Sequence, residues 1–220
     1  MSPRMTFDNE LKILQGNVAD MVGRVEAGYQ QLFQALEDRN EVRIKKLLGG
    51  DKAIIRQQRE IESQCLFLIT KQQPMVGDLR VVTAALKVVT DIQRIGDHVM
   101  DMAELVLRLN LKDPGSFSVH ISGMITATKE MFCEAVKAFT DRNIVKAREV
   151  ILLDDVIDEL FNKVKQDLID SLKKEVKDAD ECIDVLMIAK YLEKIGDHAV
   201  NICEWEIFQE TGNMNDMRLL

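Results

Sequence analysis

Two stretches of this chain set oxygen-bearing side chains about one helical turn apart. Gln93, Asp97, Asp101 and Glu104 form the first; Glu193, Asp197, Asn201 and Glu204 form the second. Residues turn by about 100° each around a helix, so the first stretch falls within about 80° of arc and the second repeats its layout. On the opposite side, Ile92, Ile95, Val99, Met102 and Val106 line up as an apolar stripe. Leu192, Ile195, Ala199 and Ile202 do the same in the second stretch. The stripes belong to a core, so the oxygen columns are expected to face outward. Carboxylates one turn apart repel by a few tenths of a kcal/mol per pair. A bound cation reverses the sign, because hard and intermediate cations take oxygen ligands and two carboxylates at this spacing can share one ion. With Arg94 and Lys194 nearby, the same columns also read as solvated faces with ordinary counter-charges.

A further acidic element precedes the second column. Asp154, Asp155 and Asp158 lie together, with Asp154 and Asp158 one turn apart. In a three-helix bundle that segment can lie beside the helix of Glu193 and Asp197. Its first-half counterpart is thinner: Asp51 matches Asp154, but Ile55 stands where Asp158 would be. Gly96 and Gly196 each cost about 1 kcal/mol in a helix interior. Their recurrence at one place in both halves points to a backbone need, such as close approach of a neighbouring helix. His98 and His198 follow the aspartates by one residue and point about 100° away from them, which suits packing or hydrogen bonding better than ligation.

Helical periodicity runs nearly end to end, and strand-like alternation bounded by turns is absent. Breaks fall at 36–40, at Gln72-Gln73-Pro74, at Asp113-Pro114-Gly115-Ser116, at 140–143 and near 174–180, with Gly49-Gly50 as a local kink. They predict six helices, at roughly 7–37, 41–71, 77–110, 118–140, 143–174 and 180–210. Long helices with short connections imply antiparallel bundles. The two halves repeat: Leu36-Glu37-Asp38-Arg39-Asn40 matches Phe139-Thr140-Asp141-Arg142-Asn143, and Ile95-Gly96-Asp97-His98 recurs as Ile195-Gly196-Asp197-His198. The expected architecture is all-α: two homologous three-helix bundles, residues 1–112 and 116–220, one unit used twice.

The net charge of the 220 residues is -8, which disfavours nucleic acid or an anionic membrane surface as the main partner, since both need a basic patch. The four cysteines, Cys65, Cys133, Cys182 and Cys203, fall among apolar residues and read as buried free thiols of a reducing compartment. No signal-peptide core and no membrane-crossing run is evident, so a cytoplasmic protein is expected. No nucleophile–base pair or phosphate-cradling glycine loop is present. A ferritin-like di-metal enzyme would need Glu three residues before a histidine; Ile95, Phe117 and Ile195 occupy those positions. A membrane-shaping scaffold would need a basic or strongly amphipathic face, which the acidic balance disfavours.

The segments Asp91-Ile92-Gln93-Arg94-Ile95-Gly96-Asp97-His98 and Tyr191-Leu192-Glu193-Lys194-Ile195-Gly196-Asp197-His198 resemble the twin signature of PhoU proteins. The Gln72-Gln73-Pro74 turn with Asp78-Leu79-Arg80, and Asp154-Asp155-Val156-Ile157-Asp158, resemble that family too. The resemblance covers nearly the whole chain. It implies two three-helix bundles and a non-enzymatic, negative role in phosphate uptake and phosphate-starvation signalling. The implied partners are the ATPase of the phosphate ABC transporter and the phosphate-sensing histidine kinase. Family members are often dimeric, and a homodimer is expected. They also carry E/D-x-x-x-D pairs that hold metal ions. Glu193 and Asp197 match such a pair, whereas Gln93 departs from it and leaves Asp97 and Asp101 as the first-half acids. Asp154, Asp158, Glu193 and Asp197 are therefore expected to form the stronger divalent or ferric site (iron, zinc, manganese or magnesium), and Asp97 with Asp101 the weaker one.

Overall fold

A computed structural model describes residues 3–72, 74–109, 119–174, 179–214 and 217–218. The mid-chain turn at 113–116 lies outside them. Among the described residues eight helices follow one another: α1 Pro3–Glu37, α2 Glu41–Leu47, α3 Asp51–Gln72, α4 Val76–Val106, α5 Val119–Thr140, α6 Ile144–Ile151, α7 Asp154–Lys174 and α8 Ala179–Thr211. The expected helices at 41–71 and 143–174 are each divided into a short and a long piece. In the first half the break is the glycine pair, with Gly49 at φ +99°. In the second half it falls at Leu152 and Leu153 with no glycine. Leu152 stays right-handed at φ -70°, and Leu153 N–H donates to the Val150 carbonyl at 3.0 Å, so a tightened turn ends α6. Past the last helix, β1 Asn213–Met214 pairs antiparallel with β2 Met217–Arg218, a two-residue hairpin that helical periodicity does not foretell.

The repeated turn is built alike in both halves. Asn40 and Asn143 cap α2 and α6, each side chain accepting from a backbone N–H three residues on, that of Arg43 at 3.1 Å and Lys146 at 3.0 Å. Such caps are worth about 1 kcal/mol. The preceding Arg39 and Arg142 both sit at φ 53°, where a side chain crowds its own backbone. The cap on one side and the helix end on the other hold them there.

In the first half α1, α3 and α4 pack together; in the second, α5, α7 and α8 do so. The halves join mainly along α4 and α8. The apolar stripes predicted for these helices are buried: Ile92, Ile95, Met102 and Val106, and Leu192, Ile195, Ala199 and Ile202, have no exposed surface. The core they form runs continuously from one half to the other. Arg108 pairs with the buried Asp184 at 3.1 Å, tying the end of α4 to the start of α8. The buried Tyr29 donates its hydroxyl proton to the Ile125 carbonyl at 2.7 Å, tying α1 to α5. Cys65 and Cys203 are buried free thiols, as expected, while Cys133 and Cys182 are only partly covered.

Candidate metal centre

The second-half site is assembled by one close approach. The first turn of α7 lies against the middle of α8 at Gly196, where a Cβ would stand 3.1 Å from Asp154 Oδ1 and 3.2 Å from Ile157 Cδ1. The glycine thus makes room for a carboxylate and for the isoleucine that anchors α7. Gly96 plays the same part for α3: a Cβ there would stand 3.1 Å from Ile54 Cδ1 and 3.4 Å from Val25 Cγ2. At both positions a Cβ would press on side chains of the helices packed against it.

This docking covers one flank of each column and corrects the outward orientation expected from the helical wheel. Gln93 is buried, and the Glu193 side chain is only 13% exposed. Asp97 and Asp197 remain partly exposed, at 30% and 42%, and Asp101 at 46%. A helical wheel shows where one helix would be polar; it cannot show how far a neighbour wraps around it.

The acids of the second half crowd each other. Burial, then the charges of Asp197, Asp158, Glu193 and Asp155, push the Asp154 carboxyl up to about 6. Asp154 Oδ1 and Glu193 Oε2 are buried without a hydrogen-bond partner. Lysines supply the balancing charge: Lys190 Nζ reaches Glu193 Oε1 at 2.6 Å, and Lys194 pairs with Asp197 and, at 3.4 Å, with Glu193 Oε2. That last separation is an ion pair of loose geometry, consistent with Oε2 counting as unpartnered. Asp158 lies exposed on α7. Among the described residues no three carboxylate, imidazole or thiol groups converge closely enough to hold an ion as they stand. Two orphaned carboxylate oxygens beside half-exposed acids nevertheless suit an oxygen-coordinated cation, and lysine ammoniums now offset part of the charge such a cation would neutralise.

The first half differs. Gln93 Nε2 donates to Asp97 Oδ2 at 2.5 Å, and Arg94 Nη1 stands 3.5 Å from the same oxygen. An amide already satisfies the aspartate, and Ile55 stands in the place of Asp158.

The two histidines meet between the halves. Their rings lie 5.6 Å apart, and His98 also stacks on Tyr191 at 5.3 Å. His198 Nδ1 bonds Asp91 Oδ1 at 2.8 Å. Burial, then the neighbouring His198, lowers the His98 pKa, against the pull of Asp101 and Asp97. These are packing and hydrogen-bonding histidines, as their phase on the helix implied. Asp91 itself escaped notice, although the mismatch of Asp91 with Tyr191 inside the repeated segment was a visible signal.

A family model described as the PhoU domain matches residues 18–106 and again 121–205. The chain belongs to the PhoU family. It is 32% identical over 215 residues to the phosphate-specific transport system accessory protein PhoU homolog of Clostridium acetobutylicum, covering 97% of this chain and 98% of that one. It is 31% identical to PhoU homolog 1 of Thermotoga maritima, covering 98% and 94%. The crystal structures of PhoU from Pseudomonas aeruginosa and of the phosphate transport system regulatory protein PhoU from Streptococcus pneumoniae both superpose with a TM-score of 0.88. Their identities are 25% and 26%, covering 94% and 96% of this chain and 100% of each of theirs. The PhoU fold, two like helical bundles in one chain, is thus shared along nearly its full length.

Proposed function

We propose that this chain is a cytoplasmic negative regulator of phosphate uptake and of phosphate-starvation signalling. It works by protein contact with the ATPase subunit of the phosphate ABC transporter and with the phosphate-sensing histidine kinase, and catalyses no reaction itself. Its relatives' names, accessory proteins of a phosphate-specific transport system, support the pathway. Among the described residues no helix is long and apolar enough to cross a membrane, which agrees with action on a transporter from outside the bilayer. Metal ions bind on the acidic helix faces, more strongly in the second half.

The observation that carries the metal reading is the orphaned pair Asp154 Oδ1 and Glu193 Oε2 beside Asp197. Asp154, Asp158, Glu193 and Asp197 would hold the ion. Its charge would offset their mutual repulsion and tie the first turn of α7 to α8. Asp97 and Asp101 would hold a weaker one. The half-exposed Asp197 and Asp101 suit a surface ion better than the enclosed di-metal core of a ferritin-like enzyme.

The deciding experiment is co-purification of this chain with the transporter's ATPase subunit, with and without a metal chelator. Association that weakens on chelation supports the whole reading. Association indifferent to chelator removes the metal from it, and no association in either condition removes the transporter contact.

A further inference from the structure

A cavity of about 290 Å³ lies at the seam of the two halves, walled by α1 and α4 of one and by α5 and α8 of the other. Leu14 and Val18 of α1, Val81 and Ala85 of α4, and Phe139 of α5 are its apolar lining, each less than a tenth exposed. From α8 comes Gln209, likewise buried. Gly16 and Thr140 line it too but are exposed, so they mark its mouth. Among the described residues no charged side chain lines it.

Two observations point to an occupant. The first is polar. Gln209 Nε2 donates to Glu206 Oε2 at 2.9 Å, and among the described residues the amide makes no other hydrogen bond. An amide carries two N–H donors and an oxygen with two lone pairs, so a donor and the carbonyl oxygen are left over at the cavity wall. Behind the amide, Glu206 Oε1 is buried without a partner, and burial holds that carboxyl in its neutral, protonated form. The second is space. Under the repeat, Val119 and Val185 stand at the positions of Gly16 and Ala85, so the first half carries the smaller residue at both. A Cβ at Gly16 would meet nothing within 4 Å. Glycine is costly inside a helix, and unlike Gly96 and Gly196 this one makes room for no side chain of the protein itself. What it leaves open is the cavity.

We propose that this cavity binds a small neutral molecule with an apolar body and one amide- or hydroxyl-type head, the head hydrogen-bonded to Gln209. Ligand sites are mostly apolar, carry a few polar groups that orient the ligand, and favour the junctions between domains; at about 290 Å³ this one takes a ligand at the small end of the range. Neutrality follows from the lining: a buried charge needs a partner charge to offset its lost hydration, and none lines the cavity. Because both halves wall the site, its occupant ties α1 and α4 to α5 and α8. None of the lining residues is a candidate metal ligand, so the site stands or falls apart from the metal reading.

The test is calorimetry on the full chain in chelator with two probes of one shape: naphthamide, neutral with an amide head, and naphthoate, its carboxylate analogue. Naphthamide is expected to bind once per chain with a dissociation constant below about 1 mM, and naphthoate at least about tenfold more weakly. Methyl NMR is expected to show the naphthamide shifts at Leu14, Val18 and Val81. Gly16→Leu places a side chain at the mouth where nothing of the protein stands in its way, so it should fold as the wild type does and lose at least about tenfold in affinity for naphthamide. Gln209→Leu keeps the apolar wall and removes the partner of the head. It is expected to weaken naphthamide by about tenfold and to leave methylnaphthalene, which has no head, unaffected. Should Gln209→Leu fold poorly by circular dichroism, Gly16→Leu and the two probes on the wild type decide. A wild type that does not bind naphthamide, or binds naphthoate as well, overturns the proposal. So do shifts away from the cavity, or naphthamide binding indifferent to Gly16→Leu or to a folded Gln209→Leu.

Discussion

His198 Nδ1 lies 2.8 Å from Asp91 Oδ1, and this contact joins α8 of one half to α4 of the other. Asn201 Nδ2 donates to the same oxygen at 3.1 Å. Under the repeat, Asp91 corresponds to Tyr191 and His198 to His98, so the matching contact on the other side is a ring stack, His98 on Tyr191. One junction thus uses a carboxylate on one side and an aromatic face on the other. Asp91→Ala would leave His198 and Asn201 without their shared acceptor in a site where the aspartate is 13% exposed. The expected cost is about 1–3 kcal/mol, read as a lower urea midpoint with an unchanged slope. Asp91→Asn keeps an acceptor and should cost less.

The two helix glycines should respond to alanine in different ways. Alanine gains about 1 kcal/mol of helix propensity, while overpacking a tight contact costs about 1–3 kcal/mol. At Gly96 the new methyl would press on Ile54, which is held between α4 and Val25, so Gly96→Ala should lower the melting temperature. At Gly196 it would press on Asp154 Oδ1 as well as Ile157. Gly196→Ala should therefore reduce metal binding in addition to stability, whereas Gly96→Ala should leave second-half metal binding intact. Metal titration beside thermal melting separates the two effects.

Asp197→Asn should abolish metal binding in the second half and leave the fold intact, since the side chain is 42% exposed and its loss opens no cavity. Surface changes of this kind shift stability by within about 0.5 kcal/mol. Asp97→Asn should remove the weaker first-half binding alone. Metal content after reconstitution with iron, manganese, magnesium or zinc, measured on both variants and the wild type, checks the assignment. Equal content in all three would refute it, and a large loss of melting temperature in metal-free Asp197→Asn would reveal a structural aspartate.

Glu206 predicts a pH dependence unrelated to the metal site. Its side chain is fully buried, Gln209 Nε2 donates to its Oε2 at 2.9 Å, and its Oε1 has no partner. Burial, with Glu210 adding and Arg142 opposing, pushes the carboxyl from 4.5 up to about 8. The folded state therefore holds a proton that the unfolded chain releases above 4.5. This group's contribution to stability falls as pH rises from 4.5 towards 8 and levels off beyond. Glu206→Gln should remove that fall, so its melting temperature should gain on the wild type between about pH 5 and about pH 8.5. A gap between the two proteins that does not change with pH would count against a buried, protonated Glu206.

Much of this molecule was legible before folding, and the reason is local. The buried stripes of α4 and α8 follow from a period that any helix must obey. The recurring breaks at 36–40 and 140–143 follow from a turn sequence used twice, although only the structure shows Asn40 and Asn143 capping α2 and α6. The glycines announced a close approach because nothing else explains their cost in a helix interior. The repeat announced itself because both copies must satisfy the same turn.

What only the tertiary structure decided concerns neighbours. The sequence by itself put Gln93 and Glu193 on an open face; the docking of α3 and α7 across Gly96 and Gly196 covered them. It marked a kink at Gly49-Gly50 but not the break at Leu152 and Leu153, where a tightened turn does the work of a glycine. It counted the acids of the second half, yet the raised Asp154 carboxyl and the two orphaned oxygens exist only because α7 meets α8 at that height. Asp91 reaching His198, and the buried Glu206, belong to the same class. Periodicity reports how one helix divides its own surface. Burial, charge coupling and unpaired oxygens are set by which helix lies alongside and how closely, and that is a property of the packed pair.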